Sequence, residues 1–232
     1  EITTRLVGSE MCIRDRFKEV DPSFISRFTK RLITKPAKRL LIGIAGESAS
    51  GKSTVCREVK NIIERLDMPV SVLSTDNYFN DISALIKKYG SFDNLRDNGY
   101  DVDSPKSFQL ELLRRDLQDL AEGKTVYAPR YVPNGTGVSI PHALKIDSDK
   151  IIVVEGIAAL YEDIQDVFDV KIYIETDNEI RFNRFLKRAQ EERNQDRENA
   201  MKHWEYLLNV GEKYVIPVSY THLRAHETRS NL

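Results

Sequence analysis

Nine consecutive residues constrain this chain more than any others. Gly46-Glu47-Ser48-Ala49-Ser50-Gly51-Lys52-Ser53-Thr54 spells G-x-x-x-x-G-K-[ST], and it follows the apolar run Leu40-Leu41-Ile42-Gly43-Ile44-Ala45. Beyond it, Val55, Val59, Ile62, Ile63 and Leu66 recur at helical spacing. A buried strand, a glycine-rich turn and a helix are thus laid out in the order that gives the pattern physical meaning. The N–H groups of the turn and the helix N-terminus would point at a phosphate. Gly46 and Gly51 permit turns that a Cβ would obstruct. All nine residues from Gly46 to Thr54 are expected to line a nucleotide, with Lys52 reaching the β- and γ-phosphates of ATP and the Ser53 hydroxyl facing Mg²⁺.

The remaining sequence alternates strand-like and helix-like stretches. Strands are predicted at Val70-Ser71-Val72-Leu73-Ser74, Ile151-Ile152-Val153-Val154 and Val170-Lys171-Ile172-Tyr173-Ile174. Helices are predicted over residues 22–33, 82–89, 178–193 and 198–210. Ser104-Pro105 reads as the start of a helix that carries Phe108, Leu110, Leu112, Leu113, Leu117 and Leu120 and ends at Gly123. Residues 90–100 are polar and turn-rich and read as a mobile loop. Residues 125–132 and 139–146 flank Asn134-Gly135, a hairpin signal. This succession predicts an α/β fold: a parallel sheet flanked by helices, with the hairpin as a small appendage. The sequence contains no internal repeat.

Both ends of the chain are set apart. Back-translation of residues 5–15 and 218–227 yields strings that are reverse complements over nearly their whole length, resembling a sequencing adapter read from both sides. Residues 1–16 and 218–232 therefore read as adapter-derived scars, with residues 17–217 as a single, C-terminally truncated domain. The chain has 35 basic and 36 acidic residues; removing five and four in the two ends leaves 30 and 32, a net charge of −2. That balance offers no bulk electrostatic case for nucleic acid or an anionic membrane as partner. Cys56 is then the one remaining cysteine, which excludes an internal disulfide framework and fits a reducing, cytoplasmic setting. No apolar run is long enough to span a bilayer, and no signal peptide is visible.

Several further positions bear chemistry. Asp76 follows the second strand, at the sheet edge where the glycine-rich loop also lies. It is placed to hold Mg²⁺, to accept a proton from an attacking hydroxyl, or simply to cap the next turn. Glu155 ends the Ile151–Val154 run, the place of a second metal-side carboxylate, though many buried strands end in an acid. Arg181, Arg184 and Arg188 share a helix face, followed by Arg193 and Arg197. Such a row either leans over phosphates or forms a solvated face interleaved with Glu191, Glu192 and Asp196. Tyr100, Asp103, Tyr127, Arg130 and Tyr131 offer aromatic rings and a carboxylate for a base and a sugar, or packing.

With these blocks assembled, the chain resembles the uridine–cytidine kinases, within the wider group of phosphoribulokinases and pantothenate kinases. The resemblance rests on the glycine-rich loop, Ser74-Thr75-Asp76-Asn77-Tyr78-Phe79, Asp101-Val102-Asp103-Ser104-Pro105, Pro129-Arg130-Tyr131 and Val153-Val154-Glu155-Gly156, and spans about residues 38–200. It implies a P-loop NTPase fold with the hairpin near the acceptor site, and transfer of the γ-phosphate of ATP to the 5′-hydroxyl of uridine or cytidine. By resemblance, Asp76 is the catalytic base, assisted by Lys52, Arg184 and Arg193. Asp103, Phe79, Tyr131 and Arg181 face the acceptor, while Ser53, Asp76 and Glu155 surround the metal. The expected partner is a small-molecule acceptor, with homo-oligomerisation possible in such a family. The chain departs from the pattern at Thr136, where the family commonly has a histidine, at Val102 and in the 192–197 segment. These departures leave phosphoryl transfer intact and keep two alternatives open: another small alcohol as acceptor (a sugar phosphate or pantothenate-like), or a nucleotide-dependent switch or ATPase.

Overall fold

The computed structural model describes residues 39–191 and 196–217, together with the backbone of residues 2–7 and 12–14. Two short strands, β1 (Ile2–Val7) and β2 (Cys12–Arg14), precede β3 (Leu40–Gly46). The glycine-rich loop leads into α1 (Lys52–Glu64), followed by β4 (Val70–Ser74), α2 (Ser83–Tyr89), α3 (Phe92–Asp97) and α4 (Leu110–Ala121). The hairpin β5 (Val126–Tyr131) and β6 (Ser139–Ile146) comes next, then β7 (Ile151–Glu155), β8 (Val170–Thr176), α5 (Asn178–Glu191) and α6 (Arg197–Val210).

Six strands form one sheet in the order β2-β1-β8-β3-β7-β4, and β5 pairs with β6 in a second sheet. The pairs β8–β3, β3–β7 and β7–β4 are parallel. Near-continuous apolar runs are what a sheet buried on both faces demands. On one face Leu41, Ala45, Leu73, Ile152 and Val154 pack with Leu113, Leu117 and Leu120 of α4 and with Val126 and Ala128 of the hairpin. On the other, Leu40, Ile42, Ile44, Ile151 and Val153 pack with Val55, Cys56 and Ile63 of α1. Each such fully buried aliphatic side chain stabilises the fold by about 1.5–3 kcal/mol.

The structure differs from the sequence reading in four places. In α1 the buried side chains are Val55, Cys56 and Ile63, whereas Ile62 and Leu66 are exposed. The apolar stripe runs through the first set, and the other two lie to its side. The predicted mobile loop over 90–100 contains α3: the Ser91 side chain caps it by accepting from Asn94 N (3.1 Å), and Arg96 pairs with Asp93. Ser104-Pro105 opens a separate short 3₁₀ turn, Pro105–Ser107, and the long helix starts only at Leu110. Phe108 lies between them, bridged to Phe79. Finally, residues 2–7 pair antiparallel with the outer edge of β8, whose ladder groups are otherwise open to any extended segment. The helix expected over 22–33 lies outside the described residues.

Register fixes the working end of the sheet. Ile44 and Ser74 both lie opposite Glu155, from β3 and β4 respectively. The loop after β3, the turn after β4 and the last residue of β7 therefore meet at one carboxyl edge, where ligands bind in open α/β sheets.

Candidate active site

The loop owes its shape to close approaches. Gly46 has φ +155°, and a Cβ there would sit 2.5 Å from the Ile174 carbonyl oxygen. Ala49 (φ +61°) and Gly51 (φ +101°) take left-handed conformations, which turn successive N–H groups into one concavity. Gly51 caps α1 without a side-chain acceptor; Thr54 N turns back to Gly51 O (3.0 Å), and no side chain caps the Lys52 and Ser53 N–H groups before it. The Ser50 hydroxyl is buried with no hydrogen-bond partner among the described residues. A concave backbone at Gly46, which a Cβ would block, and at the left-handed Gly51 fits a polyphosphate.

Lys52 donates to the Glu47 carbonyl (2.9 Å) and lies within the fields of Asp76, Glu155 and Asp103. Burial pulls its pKa down, and the three carboxylates hold the ammonium form against that pull. The Ser53 hydroxyl donates to Glu155 Oε2 (3.4 Å). Hydroxyl and carboxylate oxygens are the donors that suit Mg²⁺, which keeps part of its water shell and shares a nucleotide's phosphates. Among the described residues no group of three or more His, Cys, Asp or Glu forms an all-protein metal cage.

Asp76 rides on a 3₁₀ turn, Thr75–Tyr78, capped by Ser74, whose hydroxyl accepts from Asp76 N. The turn abuts the end of β7: a Cβ on Gly156 (φ +143°) would fall 1.9 Å from Thr75 Oγ1 and 3.3 Å from Asp76 Oδ1. Crowding from the protein and the Glu155 charge raise the Asp76 carboxyl above the ordinary range, and Lys52 and Arg188 oppose the rise. By accessible surface Asp76 is exposed, so the direction of this shift, and not its size, is what the site supports. At the other end of the turn the buried Tyr78 hydroxyl donates to Asp116 Oδ2 (2.8 Å).

Aromatic residues build the adjoining wall. Phe79 stacks on Phe108 (4.2 Å between centroids) and tilts against half-buried Tyr131 at 5.3 Å. Asp103 is buried beside them and its charge reaches Lys52. At the hairpin tip Thr136 N donates to Asn134 Oδ1 (3.1 Å), and the Thr136 hydroxyl turns back onto the same oxygen.

The arginine row on α5 climbs along the loop. Arg181, expected on the acceptor side, is 1 % exposed and lies behind the loop. It donates to Ser48 O (3.1 Å), pairs with Glu47 (2.7 Å) and stacks over Trp204 at 5.2 Å. Its position on the first turn of α5 explains the difference, because that turn emerges directly beneath the loop. One turn on, Arg184 Nη1 approaches Ser50 O (3.4 Å). One turn further, the charge of Arg188 reaches Asp76, an arrangement the three- and four-residue spacing suggested without indicating its target. Arg193 lies outside the described residues. The Glu47–Arg181 pair carried no signal in the sequence, since its partners are distant and the motif leaves the second position free.

A parallel sheet whose carboxyl edge carries this loop, a lysine and converging carboxylates belongs to the P-loop kinases. The family model described as "Phosphoribulokinase / Uridine kinase family" matches residues 41–232, and the chain belongs to that family. It is 31 % identical over 184 residues to a uridine kinase of Lactobacillus helveticus, covering 79 % of this chain and 82 % of that protein. It is 35 % identical over 171 residues to a uridine kinase of Staphylococcus epidermidis, covering 73 % and 76 %. Against uridine-cytidine kinase A of Dictyostelium discoideum it is 32 % identical over 185 residues, covering 77 % of this chain but 34 % of that longer protein. The phosphoribulokinase from Rhodobacter spheroides shares the fold with a TM-score of 0.60 at 16 % identity, covering 80 % of this chain and 68 % of that one.

Proposed function

We propose that the protein transfers the γ-phosphoryl group of ATP to the 5′-hydroxyl of uridine or cytidine, within residues 17–217, in cytoplasmic pyrimidine salvage. The observation that carries this reading is the register that brings the loop after β3, the Asp76 turn after β4 and Glu155 of β7 to one carboxyl edge, where the Ser53 hydroxyl donates to Glu155. The loop and Lys52 hold the triphosphate. Bound near Ser53, Asp76 and Glu155, Mg²⁺ supplies charge neutralisation to the phosphates. Phe79 and Tyr131 flank the base, and Asp103 accepts hydrogen bonds from the ribose. The Asp76 carboxylate takes the proton of the acceptor hydroxyl as its oxygen bonds to the γ-phosphorus. The bond from that phosphorus to the β–γ bridging oxygen breaks, and ADP leaves. Arg184, with Arg193 from the segment beyond α5, neutralises charge on the transferring group, while Arg181 braces the loop from behind. Positioning and charge, rather than covalent chemistry, supply most of the rate in such transfers.

The test is ADP release from ATP and Mg²⁺ with a panel of acceptors. Stimulation by uridine or cytidine supports the reading. The commitment of the Thr136 hydroxyl to Asn134 favours one second reading, a different small alcohol as acceptor; stimulation by a sugar phosphate or pantothenate alone would establish it. Hydrolysis indifferent to every acceptor would instead indicate a nucleotide-dependent switch.

A further inference from the structure

The segment carrying Asp103 is held by side chains from elsewhere. Ser107 Oγ donates to the Asp101 carbonyl and the Tyr161 hydroxyl donates to the Asp103 carbonyl. Between them, the Val102 N–H donates to the Tyr206 hydroxyl (2.7 Å). That hydroxyl in turn donates to Asp101 Oδ1 (3.3 Å), so it is used as acceptor and donor at once. Lys213 approaches the other Asp101 oxygen at 3.5 Å, and the Arg96 guanidinium lies over the Tyr206 ring at 5.5 Å.

Tyr206 belongs to α6, and α6 is also anchored on the nucleotide side. Trp204, two residues earlier, lies under the Arg181 guanidinium that grips Glu47 and Ser48 O. Gly211, at the start of the π turn Gly211–Val215, meets the Glu47 carboxylate so closely that a Cβ would be 2.3 Å from Oε1. The helix and the π turn that continues it thus reach the glycine-rich loop through Arg181 and at Glu47, and the Asp101–Asp103 segment at Tyr206.

We propose that Tyr206 is a positioning residue for the acceptor: through Val102 N and Asp101 it sets the distance of the Asp103 segment from the nucleotide loop. The part of this concerning the acceptor rests on the kinase reading above; the holding of the segment does not. Tyr206→Phe keeps the ring beneath Arg96 and deletes only the hydroxyl, leaving the Val102 N–H without its acceptor. With uridine and cytidine as probes, the acceptor KM should rise about tenfold, the size expected when one buried donor loses its partner. The KM for ATP and kcat should stay within about twofold, because the loss falls on ground-state binding of the acceptor. Lys213→Ala, on an exposed side chain, should shift the acceptor KM the same way by about two- to threefold, as a surface ion pair allows.

Hydrogen exchange at the Val102 amide separates the two levels. Faster exchange in Tyr206→Phe with the acceptor KM raised supports the proposal. Unchanged exchange overturns it, as does a fall in melting temperature with both substrates' KM values moving together. If no nucleoside stimulates the unmodified protein, the acceptor reading fails; the Val102 exchange rate still decides whether Tyr206 holds the segment. Should Tyr206→Phe fail to fold, an unaltered acceptor KM in Lys213→Ala counts against the proposal.

Discussion

The glycine-rich loop and the aromatic wall lie side by side at one sheet edge, yet they are built in opposite ways. The loop is a local object: strand, turn and helix are contiguous, and its shape follows from glycines at Gly46 and Gly51 and a left-handed Ala49. The wall is assembled from Phe79, Phe108, Tyr131, Tyr161 and Tyr206, on five separate elements or connections, and its main-chain groups are tied by side-chain hydroxyls. A local device tolerates little variation in sequence. A dispersed one can change its members without changing the fold.

The largest effect expected in breaking this comparison comes from the chemistry the two regions share. Asp76→Asn should lower kcat about 10²–10⁴-fold, the usual contribution of a positioned base, with the KM for ATP changed only slightly. Equal losses in turnover and ATP affinity would sink the base assignment. Because crowding and Glu155 raise the Asp76 carboxyl above 3.8, the base stays protonated to a higher pH than a free aspartate. The acid limb of the kcat/KM profile, which reports the unliganded protein, should therefore lie above the ordinary carboxylate range: activity is lost as pH falls through the raised pKa and is restored above it. In Asp76→Asn that limb should disappear.

Gly46→Ala addresses the local device. A methyl group there collides with the Ile174 carbonyl in a backbone conformation side chains rarely adopt, which costs about 1–3 kcal/mol. A lowered melting temperature and a raised KM for ATP, with the acceptor KM held, are expected; an unaffected ATP KM would show that the loop does not need this approach. Phe79→Ala addresses the dispersed wall. Loss of its stack should raise the acceptor KM about five- to tenfold and leave the ATP KM in place. If ATP binding weakened as much, the wall would not be separable from the loop. The smallest effect belongs to Leu66→Lys in the exposed turn just beyond α1, where unfolding should move by no more than about 0.5 kcal/mol.

The same contrast explains what could be read from the sequence. The loop, the three inner strands and the carboxylates ending two of them were legible because period, motif and spacing are short-range signals. Asp76 and Glu155 fell at the expected edge for that reason. Arg181 was misplaced because helical spacing gives a residue's face, and the neighbour on that face depends on where the helix leaves the sheet. α3 was missed because its single capping serine sat among turn-formers. Tyr206 and the Glu47–Arg181 pair were invisible, since contacts over more than a hundred residues leave no trace in one chain's spacing.

The alignment of β7 with its neighbours acts as a ruler. Ile44, Glu155 and Ser74 share one rung of the ladder, and the four apolar residues before Glu155 determine which rung that is. A slip of one residue would move the carboxylate by about 3.3 Å, exchange the strand's two apolar faces and bring a charged end, Lys150 or Glu155, into a rung the core occupies. Foldedness and the reach of Glu155 toward Ser53 are therefore governed by a single degree of freedom. Any chain that settles its core here has, by the same act, calibrated its catalytic edge.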